Sequence, residues 1–131
     1  MKYMLLMHCV DLGVPEISNW SPDEIKAHIA HMHDLNRDLI ESGERVDAQG
    51  LAGPDQAKIV RARASGGPAI TDGPFPEAKE FLAGYLVVDC ESPERAIEVA
   101  ARMSAAPGPE GVPLNMPIEV RQVMDAPGEE M

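Results

Sequence analysis

The spacing of hydrophobic and polar positions changes along the chain, and the change separates strands from helices. Short apolar or alternating runs bounded by Gly, Pro or Ser predict strands. A Ser-Gly-Gly-Pro turn at residues 65–68 joins two of these runs into a hairpin. The predicted strands are residues 2–9, 44–51, 56–64, 69–71, 82–90 and 117–124.

Capping signals and apolar positions at helical spacing predict two helices. Ser21 supplies an N-cap, Pro22 suits the first helical position, Glu24 completes a capping box, and Gly43 ends the helix near Ser42. A second helix opens at residues 92–94, Ser-Pro-Glu. The predicted buried positions are Ile25, Ile29, Met32, Leu35, Leu39 and Ile40 in the first helix, and Ala96, Ile97, Ala100 and Met103 in the second.

The order of these elements is β-α-β-β-β-β-α-β. Without the central hairpin it becomes β-α-β-β-α-β, the ferredoxin-like arrangement of an α+β fold. We expect an antiparallel sheet with helices on one face and an inserted hairpin. Because the other face stays partly apolar, a homodimer is expected. Residues 1–124 form one predicted domain, followed by a flexible acidic tail at 125–131.

Composition and charge limit the partners. The chain has 131 residues, enough for one domain with its own core, and a formal net charge of −11. Nucleic acid and anionic membrane surfaces are therefore poor partners. No apolar run is long enough for a membrane span, and no secretory signal is evident, so a cytoplasmic protein is expected. Cys9 and Cys90 are then expected to be reduced thiols.

Several segments also match the pattern of one protein family. They are residues 1–6, 36, 43, 50–51, 71–75 (Thr-Asp-Gly-Pro-Phe), 77, 79–80, 84–85 and 119–121. On these residues the chain resembles the YCII-related family, and within it the DGPF-domain branch, over about residues 1–124. It departs from that pattern at Pro76, Ala78 and Gln122.

The resemblance implies a ferredoxin-like domain of the dimeric α/β barrel type, with a cleft that suits a small organic ligand. Most members have no assigned reaction, and some distant relatives are lyases or dehydrochlorinases that use a His–Asp pair. The helix position where relatives can carry the His corresponds here to Met32, eleven residues before Gly43. His28 lies one turn earlier on the same face.

Three residues are candidates for acid–base chemistry. His28 or His8 is the candidate base, and Asp72 is the candidate partner or acid. The alternative is that the helix histidines are partly exposed without a special role and that Asp72 stabilises its turn. His28 and His31 are spaced to share a metal, but a zinc site needs three or four protein ligands, so no metal site is predicted.

The residues after Asp72 are candidates for substrate binding. Lys79 suits an anionic group, Glu77 or Glu80 can handle a proton, and Phe75 lies beside them. Arg121 on the last strand is the fifth candidate. The alternative is a solvated ion cluster that contributes little, with Arg121 paired to one of its acids.

Three hypotheses on function stay open. One is a cofactor-independent enzyme that abstracts a proton from a small organic molecule, with elimination or isomerisation. The second is a non-catalytic module that binds a metabolite in the same cleft, and the third is a protein-interaction module. No dinucleotide or nucleotide-phosphate motif occurs, so no cofactor is predicted.

Overall fold

A computed structural model describes residues 1–9, 13–73 and 81–124, and it has six strands and two α-helices in these residues. The elements are β1 (Lys2–Cys9), α1 (Pro22–Glu41), β2 (Arg45–Gly50), β3 (Lys58–Arg61), β4 (Ala69–Asp72), β5 (Phe81–Asp89), α2 (Pro93–Ser104) and β6 (Ile118–Gln122). Each predicted helix and strand is present, with ends that differ by a few residues.

The strand order confirms the ferredoxin-like α+β prediction. The main sheet runs β2-β5-β1-β6, and every neighbouring pair is antiparallel. β5 therefore lies between β1 and β2, and β1 lies between β5 and β6, as in a split βαβ arrangement. β3 and β4 pair with each other in a separate two-stranded sheet, which is the predicted hairpin inserted between β2 and β5.

Local signals begin and end α1 as the sequence predicts. The Ser21 hydroxyl accepts a hydrogen bond from the Glu24 amide, and the Glu24 carboxylate accepts one from the Ser21 amide. The Glu24 carboxylate also accepts a hydrogen bond from the amide of Glu110. The pKa of this carboxyl is lowered, mainly by the hydrogen bond from Glu110 and then by the one from the Ser21 amide. Gly43, at φ +80°, takes the left-handed conformation that ends the helix.

The core lies between the helices and one face of the sheet. Its buried members are Tyr3, Leu5, Leu35, Leu39, Leu86, Val88, Cys90, Ala96, Val99, Ala100 and Met103. Three predicted core positions are wrong: Ile29, Ile40 and Ile97 are 44%, 62% and 58% exposed. In α2, Val99 is buried instead of Ile97, because residues 96, 99, 100 and 103 share one side of a helix with 3.6 residues per turn.

The opposite face of the sheet carries both apolar and polar side chains. Met4 and Leu6 alternate with the core-facing residues of β1, and they pair with Val87 and Tyr85 on β5. The Tyr85 hydroxyl donates a hydrogen bond to Asp47 at 3.2 Å. The pKa of Tyr85 is raised, mainly because the hydroxyl is desolvated and also because the charge of Asp47 is close. None of the described helices is long and apolar enough to cross a membrane.

Candidate functional site

A cleft opens between α1 and the β2–β5 side of the sheet, and we call it the α1 cleft. Its volume is about 400 Å³, within the range of roughly 300–1,000 Å³ that is usual for small-molecule sites. Most of its wall is apolar. Its apolar side chains include Met7, Met32, Leu35, Ala48, Leu86 and Met103.

Two glycines form part of the cleft wall. Gly50 on β2 and Gly84 on β5 are direct partners in the sheet, two residues beyond the Ala48–Leu86 pair that faces the core. A Cβ on Gly84 would lie 2.8 Å from the backbone oxygen of Gln49, so the strands approach too closely for a side chain. A Cβ on Gly50 would meet nothing within 4 Å. The cleft therefore depends on a missing side chain at Gly50.

One cationic side chain lines the α1 cleft. The Nε of Arg45 donates to the Asn36 Oδ1 at 3.1 Å, and the Asn36 Nδ2 donates to the Met32 carbonyl one turn back on α1. Asn36 is thus fixed by the helix backbone and orients the guanidinium. Among the described residues, Arg45 has no carboxylate within ion-pair distance.

Two helix histidines bind backbone carbonyls near the end of α2. The ring of His28 donates from Nδ1 to the Pro107 carbonyl at 3.1 Å and contacts Trp20 edge-on, and His31 donates from Nε2 to the Arg102 carbonyl at 2.7 Å. A carbonyl oxygen only accepts, so these nitrogens carry the hydrogen. Both rings therefore hold α1 against α2 and the loop that follows it.

His8 has a carboxylate partner, but it is not Asp72. Its Nε2 lies 2.8 Å from the Glu119 Oε1 on the neighbouring strand β6. A register shift between Met7 and His8 interrupts the alternation of β1 at this point. The contact with Glu119, which pairs with Leu6 on the face away from the helices, therefore places His8 on that face. The imidazole and carboxylate are 26% and 48% exposed, so solutes can reach the pair.

Asp72 lies at the end of the hairpin and is strongly exposed. Its carboxylate accepts from the Nζ of Lys58, which is directly opposite on β3. No hydrogen bond joins Asp72 to a histidine in the described chain, and the catalytic roles predicted for Asp72, His28 and His8 stay predictions.

Of the five residues predicted to bind substrate, the structure describes Arg121. Phe75, Glu77, Lys79 and Glu80 lie outside the described residues. Arg121 is exposed on β6, opposite Met4 of β1 and on the same face as His8. Within the described residues, no three side chains of His, Cys, Asp or Glu lie close enough together to hold a metal ion.

Comparison with known proteins shows the family. The model of the YCII-related domain matches residues 1–112, most of the chain. The chain belongs to the YCII-related family. An uncharacterised protein of Rhizobium meliloti (strain 1021) is similar to it, with 30% identity over 89 residues that cover 68% of this chain and 71% of the relative. The narrower assignment to the DGPF branch stays a prediction.

Sequence reasoning on this YCII-related protein did not select Arg45 or Gly50 as site residues. Simple alternation along β2 would place Arg45 with Asp47 and Gln49, on the face away from the helices. An irregularity between Arg45 and Asp47 instead pairs Arg45 with the core residue Val88. Asn36 and Gly50 are among the residues that match the family pattern. That match was the one indication in the sequence that they belong to a site.

Proposed function

We propose that this YCII-related protein binds a small organic molecule in the α1 cleft. The observation that carries the proposal is the joint presence of an apolar wall, a missing side chain at Gly50 and an oriented cation at Arg45. Small-molecule sites combine an apolar lining with a few fixed polar groups in this way. Met7 and Met32 in the wall are partly buried, and their flexible side chains can adapt to a ligand.

A substitution that fills the cleft tests this proposal. Gly50→Leu places a side chain where a Cβ meets open space, and it leaves every polar group of the cleft in place. Gly67→Leu is the matched control, because Gly67 also has open space around it but lies in the exposed hairpin turn. The measurement is ligand-observed NMR with a library of neutral and charged small organic molecules.

We expect library members that bind the unmodified protein and Gly67→Leu, and that no longer bind Gly50→Leu. Circular dichroism checks that all three proteins are folded. Equal binding to Gly50→Leu and Gly67→Leu would place the ligand elsewhere and refute the proposal.

The His8–Glu119 pair supports a second candidate, acid–base catalysis on the other face of the sheet. A carboxylate beside an imidazole stabilises the imidazolium that forms when the imidazole abstracts a proton. Glu119 would then take the role that the sequence suggested for Asp72. The reaction would be the proton abstraction proposed for a lyase or isomerase.

Hydrogen exchange at carbon tests the catalytic candidate without knowledge of the product. A panel of carbonyl compounds with acidic C–H bonds is incubated with the protein in D₂O and followed by NMR. We expect deuterium incorporation that His8→Gln and Glu119→Gln both abolish. Incorporation that continues unchanged in both variants would exclude the pair as its source.

A homodimer through the face opposite to the helices remains our proposal for the assembly. Met4, Leu6 and Tyr85 supply apolar surface there, and Arg121 lies opposite Met4 on the same face. A two-fold axis lets such a surface pair with itself. Light scattering after gel filtration should give twice the chain mass, and Leu6→Asp should give the monomer; a monomeric unmodified protein would contradict the proposal.

A further inference from the structure

The cation in the α1 cleft has donor groups that no described residue uses. The guanidinium of Arg45 is a cation with five N–H donors and no acceptor. Its Nε donates to Asn36, and no described acceptor binds the N–H groups on Nη1 and Nη2. Arg45 is only partly buried, but an anion bound to it against the apolar wall is screened less by water than at an open surface. The position therefore favours an anionic partner from outside these residues.

The contact with Asn36 decides which edge of the guanidinium is free. Asn36 is anchored to the Met32 carbonyl, and it occupies the Nε side of Arg45. The free edge is the fork of Nη1 and Nη2, which matches the two oxygens of a carboxylate. Asn36 is thus a positioning residue that acts through Arg45.

The apolar wall suggests the body of the ligand. Met7 and Met32 line the cleft and are partly buried, whereas Met103 behind the lining belongs to the core. Thioether sulfurs make favourable contacts with aromatic rings. The missing side chain at Gly50 leaves room beside the backbone of β2 for a flat group. These features fit a planar ring better than a flexible polar chain.

The charge of the whole protein limits the charge of the ligand. A net charge of −11 repels polyanions such as nucleotides and polyphosphates. A single carboxylate needs only one cation, and Arg45 is the cation that lines the cleft within the described residues.

We propose that the α1 cleft selects aromatic monocarboxylic acids, with the carboxylate bound by the Nη1 and Nη2 groups of Arg45 and the ring against the methionines. This inference rests on the proposed function, because it names the ligand class of the same cleft. It assigns the preference for a carboxylate to Arg45, so replacing that side chain should abolish the preference.

A matched pair of probes tests the inference. 2-Naphthoate and 2-naphthamide have nearly the same shape, and only the first carries a charge. Their affinities are measured by titration calorimetry for the unmodified protein, Arg45→Gln and Arg37→Gln. Arg37 is the control, because it lies beside Asn36 in α1 but is exposed and pairs with Asp34. Thermal unfolding checks that each variant is folded.

We expect the unmodified protein to bind naphthoate at least about tenfold more tightly than naphthamide. The reason is that a hydrogen bond to a charged group contributes enough binding free energy for about a tenfold change in affinity. Arg45→Gln should abolish this preference, and Arg37→Gln should keep it. Equal affinities in the unmodified protein, or a preference that survives Arg45→Gln, would overturn the ligand class. Naphthamide binding that Gly50→Leu blocks would then still support the cleft. Absence of binding by both probes would overturn the ligand class, whereas the proposed function is decided by the library comparison of Gly50→Leu with Gly67→Leu.

Discussion

The pair of glycines that faces across β2 and β5 gives the sharpest test of the cleft geometry. In Gly84→Ala the new Cβ would lie 2.8 Å from the Gln49 oxygen and 3.4 Å from the Gly50 Cα. Both atoms belong to the backbone, so no side chain can rotate away. β2 must move outward from β5, and the hydrogen bond from the Leu51 amide to the Ala83 carbonyl, 2.9 Å long, must stretch.

The magnitude follows from two opposing effects. Overpacking of this kind lowers the free energy of unfolding by about 1–3 kcal/mol. Replacing glycine by alanine raises it by about 0.4–1 kcal/mol, because alanine restricts the unfolded chain. Gly84→Ala should therefore lower the free energy of unfolding by about 1–2 kcal/mol. In Gly50→Ala the Cβ meets nothing within 4 Å, so only the favourable effect remains and the variant should be at least as stable as the unmodified protein.

Urea unfolding followed by circular dichroism measures both variants. The slope of the unfolding free energy against urea concentration should stay unchanged, because neither substitution alters the surface area that unfolding exposes. The two unfolding free energies should differ by about 2 kcal/mol. Equal stabilities, or a Gly50→Ala variant that is the less stable of the two, would refute the close approach at Gly84 and the open space at Gly50.

Two further predictions concern stability. Leu39 is 1% exposed and Ile40 is 62% exposed, so in urea unfolding Leu39→Ala should cost about 3 kcal/mol and Ile40→Ala no more than about 0.5 kcal/mol; similar losses would contradict the orientation of α1. Arg95 donates to Glu44 from Nε and Nη2 and lowers the pKa of its carboxyl. The ion pair therefore stabilises the fold above pH 4.5 and is lost as the pH falls through the lowered pKa. Glu44→Gln should cost about 1 kcal/mol at pH 7 and progressively less below pH 4.5 in unfolding measurements, and a loss that does not depend on pH would contradict the charge effect.

Much of the fold could be predicted from the sequence because its signals are local. The cap at Ser21, the capping box at Glu24 and the stop at Gly43 act within one or two turns of α1, and all three are present. Strand positions followed from short apolar runs and turn residues in the same way. The errors at Ile40 and Ile97 arose where an apolar residue lies beside the buried stripe and the helix turns it toward solvent.

The sequence by itself determined the order of elements, the ferredoxin-like fold and the family. Only the tertiary structure decided which polar groups meet. His8 and Glu119 are 111 residues apart, and a strand pairing brings them together. An irregularity in the pairing of β2 with β5 places Arg45 beside the helices. Contacts of this kind depend on strand register between distant segments, which no local pattern contains, so the candidate site became visible only in the folded chain.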